Sequence, residues 1–445
     1  MFKKADSATM SQMNINFKIA ANSLAQLFSR IISAGSILVL TFLITTNLSR
    51  DVWGDFVTIT SYLGLFVLIT DFGINGAVLR KLIHNEENEE IYYKNLFGLR
   101  IALSILSVFL TVAVLSFLPY SIAVKIGIIF GTIFFVSQSI FNTTSAFFQL
   151  RMRYDLFAIS DILGSLVLIL LAFLAIKLGF GLFGVVFVYV LGSIAKAVVS
   201  MFFVESVFGL KGIAFNFSIW KSFLIASLPL GLMLVFSQIN ANIDKQIIAL
   251  TDPGVVGAMS ASVAIGIYGL AYRVFDFSIS FPTYVANSAY PVILQNQKED
   301  NQTLEKNSRN IALGLFALGV LISVIGWFAA SLIPEIFGNY SESVVTLRIL
   351  LLGLPFFYVT AFFVRLVMTL GKENTLPFIY GFAALTNVVF NLMYIPKFGY
   401  NAAAWVTNLT EILIFALLFI IISTKLNLFG NYKFIEKKNN VITKK

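Results

Sequence analysis

About twelve apolar runs, each long enough to cross a bilayer as a helix, dominate this 445-residue chain and leave little room for anything else. They fall at roughly 19–46, 56–79, 96–118, 122–148, 156–176, 181–204, 222–248, 263–293, 310–333, 344–370, 375–395 and 400–424. The runs are continuous rather than alternating, so they predict helices and not barrel strands. Charged residues make up 12% of the chain, where a soluble domain carries roughly 25%. The expected fold class is therefore an all-α integral membrane protein. The links are short, and none leaves space for a separate soluble domain. The first 17 residues are polar and carry Lys3 and Lys4, so the first run is expected to stay as an anchor rather than to be cleaved.

The net charge of +9 is explained by where the basic residues lie. With the N-terminus in the cytoplasm, the inside segments carry 20 Lys and Arg, and the outside loops carry only Arg50, Lys177, Lys245 and Lys397. That bias predicts N-in, C-in topology and removes the case for nucleic-acid binding. There is no cysteine, and His84 is the only histidine. Disulfides, thiolate sites and histidine zinc sites are excluded, and no metal site is expected. No phosphate loop of the GxxxxGK[ST] type occurs, and one histidine in an inside loop builds no nucleophile–base pair, so the chain is not expected to be an enzyme.

Charges inside the runs carry the functional signal. Arg30 lies 11 residues into its span, about 16 Å deep at 1.5 Å per residue. Arg100, Arg273 and Arg365 are also far from their span ends. An arginine at a helix centre costs about 2.5–3.5 kcal/mol on insertion scales, so it faces protein or water. Asp71, Asp161, Asp244, Asp276 and Glu411 lie within or at the ends of spans, and structural pairing competes for each arginine taken singly. As a set, the arginines outnumber the acids at matching depth, which points to a cationic, wet cavity for an anionic substrate. Arginine's planar fork suits phosphate or carboxylate. Asp71, Asp161 and Asp244 are the candidates for charge pairing or for binding a coupling proton or Na⁺; no other cofactor is expected. "SQINANIDKQIIAL" (237–250) ends a span, so Gln238, Asn240 and Lys245 are expected at the outer rim, with Asp244 paired to Lys245 or across the lobes.

The two halves look related. "LGFGLFGVVFVYV" (178–190) matches "FGYNAAAWVTNLT" (398–410) at an offset of 220, and Gly54 and Phe56 match Gly266 and Tyr268 at an offset of 212. Two parallel six-helix repeats follow, with a cavity between them. The expected division is a cytoplasmic segment 1–18, an N-lobe 19–204, a linker 205–221, a C-lobe 222–424 and a basic tail 425–445.

Three stretches resemble the polysaccharide-biosynthesis flippases of the O-antigen (Wzx) type, in the MOP superfamily with the MATE antiporters. They are "LSRDVWGDFVTITSYLGLFVLITDFGINGAVLRK" (48–81), "DKQIIAL…VAIGIYGLAYRVFDF" (244–277) and "GKENTLPFIYGFAALTNVVFNLMYIPKFGYNAAAWVT" (371–407). The resemblance implies a MATE-like bundle of two lobes with alternating access. It implies an undecaprenyl-diphosphate-linked oligosaccharide as substrate, moved across the bacterial inner membrane, with Arg30 and Arg273 lining the cavity. Membrane lipid and the polysaccharide polymerase machinery are the expected partners. The alternative is a multidrug or cation antiporter of the same fold, which the cationic balance disfavours.

Overall fold

The computed structural model describes residues 28–29, 31–82, 89–251, 260–282, 285–286, 293 and 301–426. Arg30, the 1–18 segment, His84 and the tail beyond 426 lie outside the described residues. Among the described residues, eleven helices are long and apolar enough to span a membrane, and a shorter apolar helix precedes them. In chain order they are α1 (Ile31–Asn47), α2 (Arg50–Leu79), α3 (Glu89–Leu115), α4 (Ile122–Leu150), α5 (Tyr154–Lys177), α6 (Gly181–Phe208), α7 (Phe217–Leu250), α8 (Ala261–Ile279), α9 (Gln302–Phe337), α10 (Ser343–Thr369), α11 (Glu373–Phe398) and α12 (Tyr400–Ser423). They correspond one to one with the expected spans.

Several helices run past the apolar stretch that announces them. α3 starts at Glu89 rather than near 96, and α7 at Phe217 rather than near 222. Hydropathy marks only the part in hydrocarbon. The extra turns mix polar and aromatic residues, and their polar groups are satisfied locally: Glu90 pairs with Lys94 at 2.6 Å, and Asn216 caps α7 by accepting from the Ser218 and Ile219 amides. The non-helical join between α6 and α7 is thereby shortened to 209–216. α8 is described only to Ile279, short of the expected 293.

Punctuating residues lie inside three of the helices, and one of those helices is broken. α2 is interrupted at Phe72 and Gly73, whose φ angles are 42° and 65°. A phenylalanine in the left-handed region is uncommon. Pro229 lies inside α7 and Pro355 inside α10. The α2 break abuts α7 two residues after Pro229: a Cβ on Gly231 would stand 2.7 Å from the Phe72 carbonyl oxygen.

α5 packs on α6 and α4 on α6 in the first half; α10 packs on α12, α9 on α10 and α7 on α11 in the second. α2 joins the halves by lying against both α7 and α8. The α2–α8 crossing is made by glycine. A Cβ on Gly54 would sit 1.7 Å from the Ser262 carbonyl oxygen, and one on Gly266 would meet Trp53 at 3.1 Å. These are the two glycines that the internal repeat equates, so the repeat-related segments cross each other. Trp53 Nε1 donates to the Gly266 carbonyl at 2.9 Å, Ser260 to Asp51 at 2.5 Å and Ser262 to Asp55 at 2.6 Å. Arg50 pairs with Glu342 at 3.1 Å. The end of the bundle that carries the α1–α2 and α7–α8 turns is sealed by these bonds.

Candidate functional site

Just beneath that crossing, a polar cavity of about 170 Å³ lies between the halves. α2 supplies Thr60, Ser61 and Gly64, and α6 supplies Tyr189. α7 supplies Gln238, Asn242 and Lys245, and α8 supplies Tyr272, Arg273 and Asp276. Arg273 donates to Thr60 Oγ1 at 3.2 Å, leaving most of its five donors uncommitted to that bond. Lys245 Nζ donates to the Ala241 carbonyl and sits 3.5 Å from the centre of the Tyr272 ring. Two cations and one carboxylate, Asp276, thus line one space, and its formal balance is positive.

The polar stretch of α7 is not an exposed rim. Asp244, Lys245 and Gln246 are buried. The carboxylate of Asp244 accepts from the Tyr268 hydroxyl and, at 2.7 Å, from the Lys245 amide, rather than from Lys245 Nζ. Gln246 donates to Ser61 Oγ and accepts from the Tyr120 hydroxyl, both at 2.6 Å. Burial raises the Tyr120 phenol well above its ordinary range, so it stays neutral and donates. The physical reason is tertiary. Near its C-terminal end α7 runs into α2 and α8, with α12 alongside, and the amides and charges satisfy their neighbours' polar groups. Gln238 accepts from Asn242 Nδ2 at 2.7 Å within the interlobe cavity, and Asn240 faces the other way.

Asn240 faces a second cavity, of about 360 Å³, enclosed by α7, α8, α10, α11 and α12. Asp276 and Glu411 both line it, with Thr360, Tyr380 and Asn387. Both amide atoms of Asn240 and Oε1 of Glu411 have no hydrogen-bond partner among the described residues. Buried polar atoms without partners are costly, so this cavity is built for something polar. Asn391 donates to Asn387 at 2.9 Å and Asn387 to Thr410 at 3.0 Å, which fixes the wall. Asp276 borders both cavities. Arg365, half-buried on α10, acts electrostatically on Tyr380 of the second cavity rather than lining the first.

The remaining candidates are spent on structure. Arg100 is fully buried and donates to Asp71, to Asn75 Oδ1 at 2.7 Å and to Thr143 at 3.4 Å. The expectation that it lines a cationic cavity is corrected: its charge is neutralised beside the α2 break. Asp161 accepts from Ser29 at 2.8 Å, Ser33 at 3.3 Å and Lys196 at 2.6 Å, tying α1 to α5 and α6. Removing one partner of a buried pair leaves an uncompensated charge. Arg100→Met should therefore lower stability by about 3 kcal/mol, read as a fall in melting temperature in detergent. Arg100→Met, Asp71→Leu together should recover most of it; a single variant as stable as wild type would refute the pairing.

Sequence reasoning named Asp276 and Glu411 only as in-span acids and missed Asn387, Tyr189 and Thr60. The signal for Glu411 was present, since an acid in an apolar helix is a functional candidate by default. For Tyr189 and Thr60 there was none.

Comparison with known proteins fits this architecture. A family model described as "Polysaccharide biosynthesis protein" matches residues 17–297, and the MatE model matches residues 239–393. The curated "Probable flippase AglR" of Haloferax volcanii is 27% identical over 177 residues, which is 38% of this chain and 37% of that one. The match spans little more than a third of the relative's length. The lipid II flippase MurJ, in an inward closed conformation, superposes with a TM-score of 0.67 at 17% identity, covering 91% of this chain and 87% of that one. An inward-facing multidrug resistance MATE transporter gives 0.69 at 13% identity, covering 90% and 98%. At such identities these two likenesses show the fold alone, a MATE- and MurJ-like helical bundle. The family match runs over more than half of the chain, from ahead of α1 to beyond the Arg273 cavity, and by it the chain belongs to the polysaccharide biosynthesis protein family.

Proposed function

We propose that this chain flips a lipid-linked oligosaccharide, of the undecaprenyl-diphosphate class, across the bacterial inner membrane by alternating access. The observation that carries the reading is the pairing of Arg273 with Lys245 around one interlobe cavity. A diphosphate presents several anionic acceptors, and an arginine fork with a lysine point charge is the donor set that suits it. Arg30 is the proposed third cation. The basic ends of the helices face the cytoplasm, so the sealed Gly54 end faces outward and the cavity is loaded from inside. The polysaccharide polymerase machinery is the proposed consumer of the product. The test is reconstitution in vesicles with a fluorescent polyprenyl-diphosphate oligosaccharide in the inner leaflet. Lectin capture outside should rise well above that of protein-free vesicles; equal capture would end the proposal.

Coupling to an ion gradient is assigned here to the C-terminal cavity rather than to Asp71 or Asp161, which already hold Arg100 and Lys196. Asp276 and Glu411 offer two carboxylates with amide and hydroxyl oxygens, the donor chemistry for H⁺ or Na⁺. An acidic cavity inside one half could also favour a cation antiporter, but it does not lie between the lobes. Glu411→Gln should leave flipping insensitive to the gradient and about tenfold slower, the scale of one lost charge–ion interaction. Unchanged, gradient-driven flux in Glu411→Gln would exclude this carboxylate.

A further inference from the structure

Two apolar grooves on the outside of the bundle occupy the same place in the two repeats. One, of about 630 Å³, lies among α4, α5 and α6; the other, of about 690 Å³, lies among α10, α11 and α12. Leu174, Leu178, Val186 and Val188 line the first. The residues 220 positions on, Tyr394, Phe398, Val406 and Asn408, line the second. Both grooves wrap a turn with glycine in the left-handed region: Gly179 at φ 75° and Gly399 at φ 71°. The offset that the sequence repeat carries is thus an offset between two concave surfaces.

Their lining is open to the surroundings. Leu178 is 67% exposed, Phe398 69% and Trp405 55%. In a membrane protein such a surface meets lipid, and a concave one holds a chain better than a flat one because more of it is covered. Charge says which lipid. Lys177 immediately precedes the first turn and Lys397 the second, again 220 residues apart, and both are exposed. Lys177 Nζ stands 5.5 Å from the Phe173 ring centre, next to Leu174 of the lining. Lys125, next to the lining residue Ile126, adds a second basic residue to the first groove.

We infer that the two grooves are a repeat-related pair of binding sites for an anionic phospholipid, whose acyl chain fills the apolar channel and whose phosphate rests on Lys177 in one lobe and Lys397 in the other. The lipid of the leaflet at the Gly54 end would then clasp each lobe at its α5–α6 or α11–α12 turn. The sites are separate from the interlobe cavity, so they are outside the flipping pathway proposed above.

The test is native mass spectrometry of the full chain in detergent, titrated with phosphatidylglycerol or phosphatidylcholine. Wild type should retain two phosphatidylglycerol molecules preferentially. Lys177→Ala and Lys397→Ala should each weaken one of them about fivefold, the effect of one basic residue near a lipid surface. The double variant should weaken both, and Lys→Arg at either position should restore binding. Equal retention of phosphatidylcholine, or retention of phosphatidylglycerol unchanged in the double variant, overturns the assignment. Loss of both lipids in either single variant overturns the two-site reading. Flipping by the double variant in phosphatidylcholine vesicles should match wild type, which separates this outcome from a failure of the proposed function.

Discussion

Arg273→Ala should stop translocation while the protein still inserts and folds. Arg273 lines the interlobe cavity, and among the described residues its one hydrogen bond to protein is a 3.2 Å contact to Thr60. Little of the fold rests on that bond. What the substitution removes is a fork of charged donors. Truncating one member of a buried, hydrogen-bonded charge pair costs about 2–5 kcal/mol, so flipping should fall by about 30-fold or more. Arg273→Lys keeps the charge and loses the fork, and should retain an intermediate rate. Arg30→Ala should show the same loss. The measurement is surface polysaccharide in cells, alongside flipping in vesicles and melting temperature. Normal polysaccharide in both alanine variants would refute the cationic cavity. A matching fall in melting temperature would instead mark Arg273 as structural.

The second large effect is expected at Gly54. Its hypothetical Cβ would lie 1.7 Å from the Ser262 carbonyl oxygen, and the clash is with backbone, which has no rotamer to move. Small residues let helix backbones approach this closely in membranes. The penalty for Gly54→Leu therefore exceeds the usual 1–3 kcal/mol or so of overpacking, and it falls on the sealed state alone. Since the chain has no cysteine, the crossing can be read directly. Cysteines placed at Asp51 and Ser260, whose side chains now hydrogen-bond, should cross-link readily in an otherwise native chain. Adding Gly54→Leu should abolish the cross-link and trap the lobes apart at this end. Undiminished cross-linking would show that α2 and α8 do not meet here.

Much of the architecture was legible because hydrocarbon is a strict solvent. It demands long apolar helices, so twelve runs announced twelve helices. The same strictness made Arg273 conspicuous: a charge has few reasons to be in a span. The repeat at offsets of 212 and 220 was also visible, and its members now appear as a glycine crossing and a pair of grooves.

Partnership was not legible. Arg100 and Arg273 look alike in sequence, each an arginine among apolar residues, yet one is neutralised by Asp71 and the other lines a cavity. Asp244 and Lys245 are adjacent, but adjacent residues on a helix do not face each other, and what only the fold supplied was the Tyr268 hydroxyl to Asp244 and the Tyr272 ring to Lys245, both from α8. Glu411 and Asp276 lie 135 positions apart and share one cavity only because α8 and α12 meet there. The sequence by itself determined the solvent, the number of helices and the types of charge placed in the membrane, because those follow from transfer free energies of single residues. Which charges cancel and which remain to act was decided by the tertiary structure, because the energy of a charge depends on what stands within a few ångströms of it, and those neighbours come from other helices.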